Sequence, residues 1–136
     1  KVKKNKLISL LCVLAVAIAA LHVLAMRYNL YFSIWWFDLP MHLLGGFWAG
    51  LLTIFYFLVW AHRKFSTPSA RSLFYVGVGG TIIFGSLWEL YEYAFGFTYF
   101  TESSYALDTA LDILMDLCGG IVAVLYAIRN RLSEAS

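Results

Sequence analysis

The chain has 136 residues, 62% of them hydrophobic and 13% charged, with a net charge of +2. Soluble domains run near 45–50% apolar and about 25% charged, so this composition excludes an ordinary soluble domain and points to a multi-pass protein of the cell membrane. Two cysteines, Cys12 and Cys118, make neither a disulfide framework nor a CxxC pair.

The first apolar run, residues 7–26, follows Lys1, Lys3, Lys4 and Lys6. It approaches the roughly 20 residues needed to cross a bilayer and outruns a signal-peptide core, so it reads as an uncleaved transmembrane helix. His22 lies about a turn from its far end. The connection 27–39 carries Arg27 and the aromatics Tyr28, Tyr31, Trp35 and Trp36, the composition of a membrane interface.

The second span, about 40–61, opens on Pro40, whose missing N–H is harmless at a helix start. Asp38 and His42 bracket that start, and Gly46 and Gly50 give a small-xxx-small spacing suited to close helix packing. The same spacing could serve a homo-oligomer face. The connection 62–72 holds His62, Arg63, Lys64, Pro68 and Arg71.

The third span, about 73–95, contains Gly77, Gly79, Gly80 and Gly85, then Glu89 and Glu92, with Gly96 placed as a C-terminal cap. Tyr99, Glu102 and Tyr105 lie in or at the end of the next connection. The fourth span, about 106–128, carries Asp108, Asp112, Asp116 and Gly119-Gly120, and Arg129 and Arg131 follow it. The predicted fold is therefore all-α, one domain over residues 1–136, an integral membrane bundle of four transmembrane helices.

Charge orients the bundle. With alternating helices, nine of the ten Lys and Arg residues fall on one side and only Arg27 on the other. The positive-inside rule then places both termini and the middle connection in the cytoplasm. The basic residues are accounted for by this topology, and no nucleotide-binding loop or nucleic-acid motif accompanies them.

The acids segregate the opposite way. Asp38, Glu89, Glu92, Glu102, Asp108, Asp112 and Asp116 gather toward the outer end, and four of them sit inside the spans. A carboxylate in hydrocarbon costs several kcal/mol unless it is paired, metal-bound or protonated. Asp108, Asp112 and Asp116 recur every four residues and share one helix face, as do Glu89 and Glu92 at a spacing of three. At about 1.5 Å per residue, Glu89 and Asp112 reach a similar depth, and Asp116 lies a turn deeper. Asp38 and His42 stand at the matching height on the second span. Such a crowd of carboxylates cannot all ionise in a low-dielectric layer without compensation.

Asp38, His42, Glu89, Glu92, Asp108, Asp112 and Asp116 are thus the candidate ligands of a divalent cation such as Mg²⁺, Mn²⁺, Ca²⁺ or Zn²⁺. Bland roles compete residue by residue. Asp38 and Asp108 could cap or favour a helix start. Glu92 could snorkel to the interface. His22 reads as structural, and Trp88, Tyr91 and Tyr93 as packing or belt, with either tyrosine able to bond a carboxylate. Glu89, Asp112 and Asp116 lie too deep for such roles.

The segments Asp38-Leu-Pro-Met-His42-Leu-Leu-Gly45-Gly46, Trp88-Glu89-Leu-Tyr-Glu92 and Asp108-Thr-Ala-Leu-Asp112-Ile-Leu-Met-Asp116-Leu-Cys-Gly119-Gly120 resemble small membrane proteins of the VanZ-like and YjdF-like kind. The resemblance covers about residues 36–120. VanZ-like proteins tend to carry Glu-x-x-Gln where this chain has Glu89-x-x-Glu92, and Asn where it has Asp116, so this version is more acidic. The resemblance implies a link to glycopeptide resistance and no particular reaction.

The expected function is an outer-leaflet-facing Asp/Glu/His site that binds a divalent cation. It would serve a metal-dependent hydrolase or transferase acting on a lipid or lipid-linked head group, with Glu89 and Asp112 as the catalytic candidates. The alternatives are a non-catalytic binding or resistance protein and a proton- or cation-linked transporter. Graded acids stop near Asp116, and the stretch from Gly119 to Ile128 is apolar, which disfavours a continuous pathway.

Overall fold

A computed structural model describes residues 2–61, 68–96 and 105–130. His62, Arg63, Lys64, Tyr99, Glu102 and Arg131 lie outside the described residues. Among the described residues five helices follow in order: α1 (Val2–Arg27), α2 (Leu30–Ser33), α3 (Asp38–Ala61), α4 (Ala70–Phe95) and α5 (Tyr105–Arg129). Four of them are long and apolar enough to cross a membrane, at 23 to 26 residues each. At about 1.5 Å per residue they exceed the roughly 30 Å hydrocarbon core.

The helices start earlier than the apolar pattern suggests, for local reasons. Helix α3 begins at Asp38, so Pro40 sits inside its first turn and does not open it. The first four N–H groups of a helix have no intrahelical partner, and proline is tolerated through that turn. Helix α4 begins at Ala70 because Ser69 caps it: the Ser69 Oγ accepts the Ser72 N–H at 3.1 Å. The polar turn Arg71-Ser72 hides this start from hydropathy. At the other end Gly96 is the expected cap, left-handed at φ 71°.

The single-turn helix α2 was not expected. It follows Asn29, which takes a left-handed conformation at φ 53°. Asparagine tolerates that region better than other side chains. The turn brings α2 back against α1.

Helix α3 is the centre of the bundle. It packs most extensively on α5, then on α4, and α1 packs chiefly against α3. The contact between α3 and α5 is a backbone-to-backbone approach. A Cβ on Gly46 would collide with the backbone of Asp116, and one on Gly119 with the Leu43 carbonyl and the Phe47 amide. Gly50, Gly77, Gly80 and Gly120 likewise abut neighbouring helices, whereas Gly79 faces open space. The small residues that could have served an oligomer face are largely used within the chain.

The apolar core is built from Leu51, Ile54, Leu58, Leu73, Ala123, Val124 and Ala127, closed by Leu7 and Leu11 of α1. These positions lie toward the end opposite Asp38. Large apolar side chains cover the outside, Val16 and Leu125 at 69% and 60% exposure among them. Water would make this surface an aggregation hazard, but hydrocarbon is its natural solvent.

Candidate functional site

At the Asp38 end the bundle interior is polar, and His42 is its hub. The first turns of α3 place the imidazole in the bundle interior, where the residue is 5% exposed. Its Nδ1 lies 3.3 Å from the Asp116 Oδ2 of α5. Its Nε2 faces three carboxyl groups: Asp38 Oδ1 at 3.7 Å, Glu89 Oε1 at 3.8 Å and Asp112 Oδ1 at 3.7 Å. Three helices thus converge on one ring.

The spacing of the residues explains the convergence. Asp38 and His42 are one turn apart on α3, and Asp112 and Asp116 one turn apart on α5. The two pairs can meet because Gly46 and Gly119 let the helix backbones touch. Asp116 also needs room for its carboxylate. It lies close to Gly45, and a Cβ on Gly85 would collide with its Oδ2. Glycines on two helices therefore make the slot that holds it.

Among the described residues, three buried side-chain polar atoms have no hydrogen-bond partner: His42 Nε2, Glu89 Oε1 and Asp112 Oδ1. The imidazole nitrogen faces both carboxylate oxygens. Buried polar atoms are almost always satisfied, and each unsatisfied one costs about 1–3 kcal/mol. Separations of 3.7–3.8 Å are too long for good hydrogen bonds. Two ligands at about 2.1 Å from a tetrahedral ion lie roughly 3.4 Å apart, so the atoms stand near ligand spacing.

Two sets of donors come within 4.8 Å of one another: Asp38, His42 and Asp112, and His42, Glu89 and Glu92. They intersect at His42. Of the seven sequence candidates, six line this centre. Asp108 stands apart, exposed in the first turn of α5 and in neither set. Asp116 holds the far nitrogen of the ring and does not face the Nε2 donors. Glu92 is buried (9% exposed) and so does not snorkel.

Several participants were not legible in the residue pattern. Trp88, read as packing, donates its indole N–H to Glu92 Oε1 at 2.9 Å. His22 Nδ1 and the Tyr31 hydroxyl are hydrogen-bonded at 2.8 Å, joining α1 to α2 above the site. The His22 ring also meets Trp88 edge-on, at a centroid distance of 5.5 Å. The i to i+4 spacing of Trp88 and Glu92 could have signalled the first pair. Nothing local could have signalled the second.

Tyr31 reports on the site from outside the spans. Burial, then the charges of Asp38 and Glu92, push its phenol above the usual tyrosine range. The unfolded chain would release this proton near pH 10 while the folded one keeps it. Folding stability should therefore fall as pH rises above about 10. The fall should be shallower in Tyr31→Phe, as read by denaturation midpoints between pH 9 and 11. Parallel profiles would remove Tyr31 from contact with the acids.

A family model for predicted membrane proteins, DUF2238, matches residues 1–132. No curated protein and no solved structure matches the chain.

Proposed function

This chain belongs to the DUF2238 family of predicted membrane proteins, and from that premise we propose that its polar end is a divalent-cation site serving chemistry on a lipid head group. What supports it is His42 Nε2, buried and unpartnered among the described residues, with the equally unpartnered Asp112 Oδ1 and Glu89 Oε1 at 3.7 and 3.8 Å from it. His42 Nε2 would be the shared ligand, with Asp38 and Asp112 completing one donor set and Glu89 and Glu92 the other. Asp116 orients the imidazole through Nδ1, the arrangement by which carboxylates fix metal-binding histidines. One imidazole among carboxylates suits Zn²⁺ or Mn²⁺ better than Mg²⁺ or Ca²⁺.

A cation held there would supply Lewis acidity. Glu89 is half-buried at the rim, beside the imidazole, where it can take a proton from an incoming nucleophile. Asp112, at 2% exposure, holds the floor. The likeness of the three motifs to VanZ-like and YjdF-like proteins supports the same choice of residues. A through-going ion path is less well supported. Beyond Asp116 the interior passes to Thr81, whose hydroxyl lies 2.9 Å from the Gly77 carbonyl and 3.2 Å from that of Gly46, and then to the apolar core.

The test is metal content. Protein purified without chelator should hold about one Zn²⁺ or Mn²⁺ per chain by elemental analysis, and His42→Ala should hold none. Metal-free wild type that takes up none of the four cations on dialysis would end the cation reading.

The site's side of the membrane follows from the charge bias, and we place it on the outer face. In a chain without other cysteines, Ser33→Cys and Thr101→Cys should react with an impermeant thiol reagent on intact cells, and Ser66→Cys only after lysis. Labelling at position 66 on intact cells would invert the topology.

A further inference from the structure

A cavity of about 380 Å³ opens beside the site, between α1, α3 and α4. That volume falls within the roughly 300–1,000 Å³ of small-molecule pockets. Its walls are almost wholly apolar, formed by Ala15 and Ile18 of α1, Met41, Trp48 and Ala49 of α3, and Phe84 of α4. Its polar lining includes Asp38, His42 and Asp116 toward the site and Thr81 deeper in the bundle.

Two tethers hold α1 in place across this space. At the inner end the Trp48 indole N–H donates to the Leu11 carbonyl at 3.0 Å. At the outer end His22 bonds Tyr31. Between them the face of α1 carries small residues: Ala15 and Ala19 both line the cavity. Helix α1 packs chiefly on α3, and Ala19 and Phe84 are exposed on the α1–α4 flank. That flank lies within two membrane-spanning helices, so its surroundings are hydrocarbon. From Asp38 to Ala49 the cleft follows α3 for roughly 16 Å, about one leaflet's share of a 30 Å core.

We propose that this cleft seats one acyl chain of a glycerophospholipid, entering between α1 and α4 and bringing the head group to the His42 end. Water is a poor occupant for apolar walls, and a chain drawn from the adjoining leaflet matches both the depth and the open flank. The proposal stands on the cleft and does not require the cation.

The experiment uses the full chain in nanodiscs of phosphatidylcholine carrying a diazirine in one acyl chain. Met41 and Ala49 are buried, at 9% and 3% exposure, yet line the cleft. Bulk lipid can reach Val16 and Val23 on the outside of α1 but not these two. Illumination and peptide mapping should give adducts at Met41 and Ala49 as well as at Val16 and Val23. Ala15→Trp with Ala19→Trp, which fills the cleft from α1, a helix that carries none of the acids, should reduce the inner adducts several-fold and leave the outer ones unchanged. The milder Ala15→Leu should reduce them by less, which guards against misfolding of the double variant. Adducts confined to the outer residues, or inner adducts equal in all variants, would overturn the proposal. Chelated samples and Asp112→Asn should label as wild type does, so loss of the cation site and loss of the lipid site are told apart.

Discussion

Zn²⁺ or Mn²⁺ should raise the melting temperature of the metal-free protein by an amount of the order of 10 °C at a hundredfold excess over the dissociation constant. A ligand that binds only the folded state contributes about 2.7 kcal/mol at that excess. One kcal/mol moves a domain of this length by roughly 3–5 °C. Asp112→Asn and Glu89→Gln should abolish the rise, because each removes one of the unpartnered oxygens beside His42 Nε2. The same variants make the opposite prediction for the metal-free state. Five carboxyl groups and one imidazole occupy this layer, and removing one negative charge relieves repulsion. Metal-free Asp112→Asn should therefore melt no lower than metal-free wild type. A structural hydrogen-bonding role for Asp112 would make it melt lower, with or without ions. Asp116→Asn separates orientation from ligation. It keeps an acceptor for His42 Nδ1 and should weaken binding without abolishing it, by about 10- to 100-fold. A wild-type curve that none of Mg²⁺, Mn²⁺, Ca²⁺ and Zn²⁺ displaces would leave shared protons as the compensation for the buried acids.

The second large effect should come from a single methyl group. Gly119→Ala places a Cβ against the Leu43 carbonyl and Phe47 amide of α3, and Gly46→Ala places one against the backbone of Asp116. Neither neighbour is a side chain that can swing away, so the helices must separate. Overpacking a core costs about 1–3 kcal/mol when side chains can adjust. Backbone against backbone should reach roughly 4 kcal/mol or more, a large share of the 5–15 kcal/mol that holds a domain together. Gly79→Ala is the matched control. Its Cβ meets nothing within 4 Å, and alanine is favoured over glycine inside a helix by about 0.5–1 kcal/mol. The two substitutions should shift thermal melting in opposite directions. Gly119→Ala should also weaken cation binding in whatever fraction stays folded, because α3 carries His42 and α5 carries Asp112 and Asp116. Equal melting of the two variants would show that α3 and α5 do not touch at Gly119.

Much of the architecture was legible without coordinates. Four apolar runs of spanning length required four helices, because a backbone in hydrocarbon must satisfy its own hydrogen bonds. The spacings Asp38–His42, Glu89–Glu92 and Asp112–Asp116 placed each pair on one helical face. The depth of Glu89 and Asp112 followed from the rise per residue. The caps at Ser69 and Gly96 rest on neighbouring residues alone.

What the tertiary structure decided is how those faces meet. Sequence spacing orders residues within a helix but leaves the rotation of one helix against another open. That rotation is set where Gly46 and Gly119 bring two backbones together, and it turns His42 toward three acids on one side and a fourth on the other. It also sends Asp116 to the Nδ1 side of the ring and leaves Asp108 outside, though Asp108, Asp112 and Asp116 share one repeat. The drift of an i, i+4, i+8 series is enough to separate them once the partner helix is fixed. The Trp48 tether to Leu11 and the cleft beside it join residues far apart in the chain. No local pattern encodes such contacts, because they exist only after α1 has docked on α3.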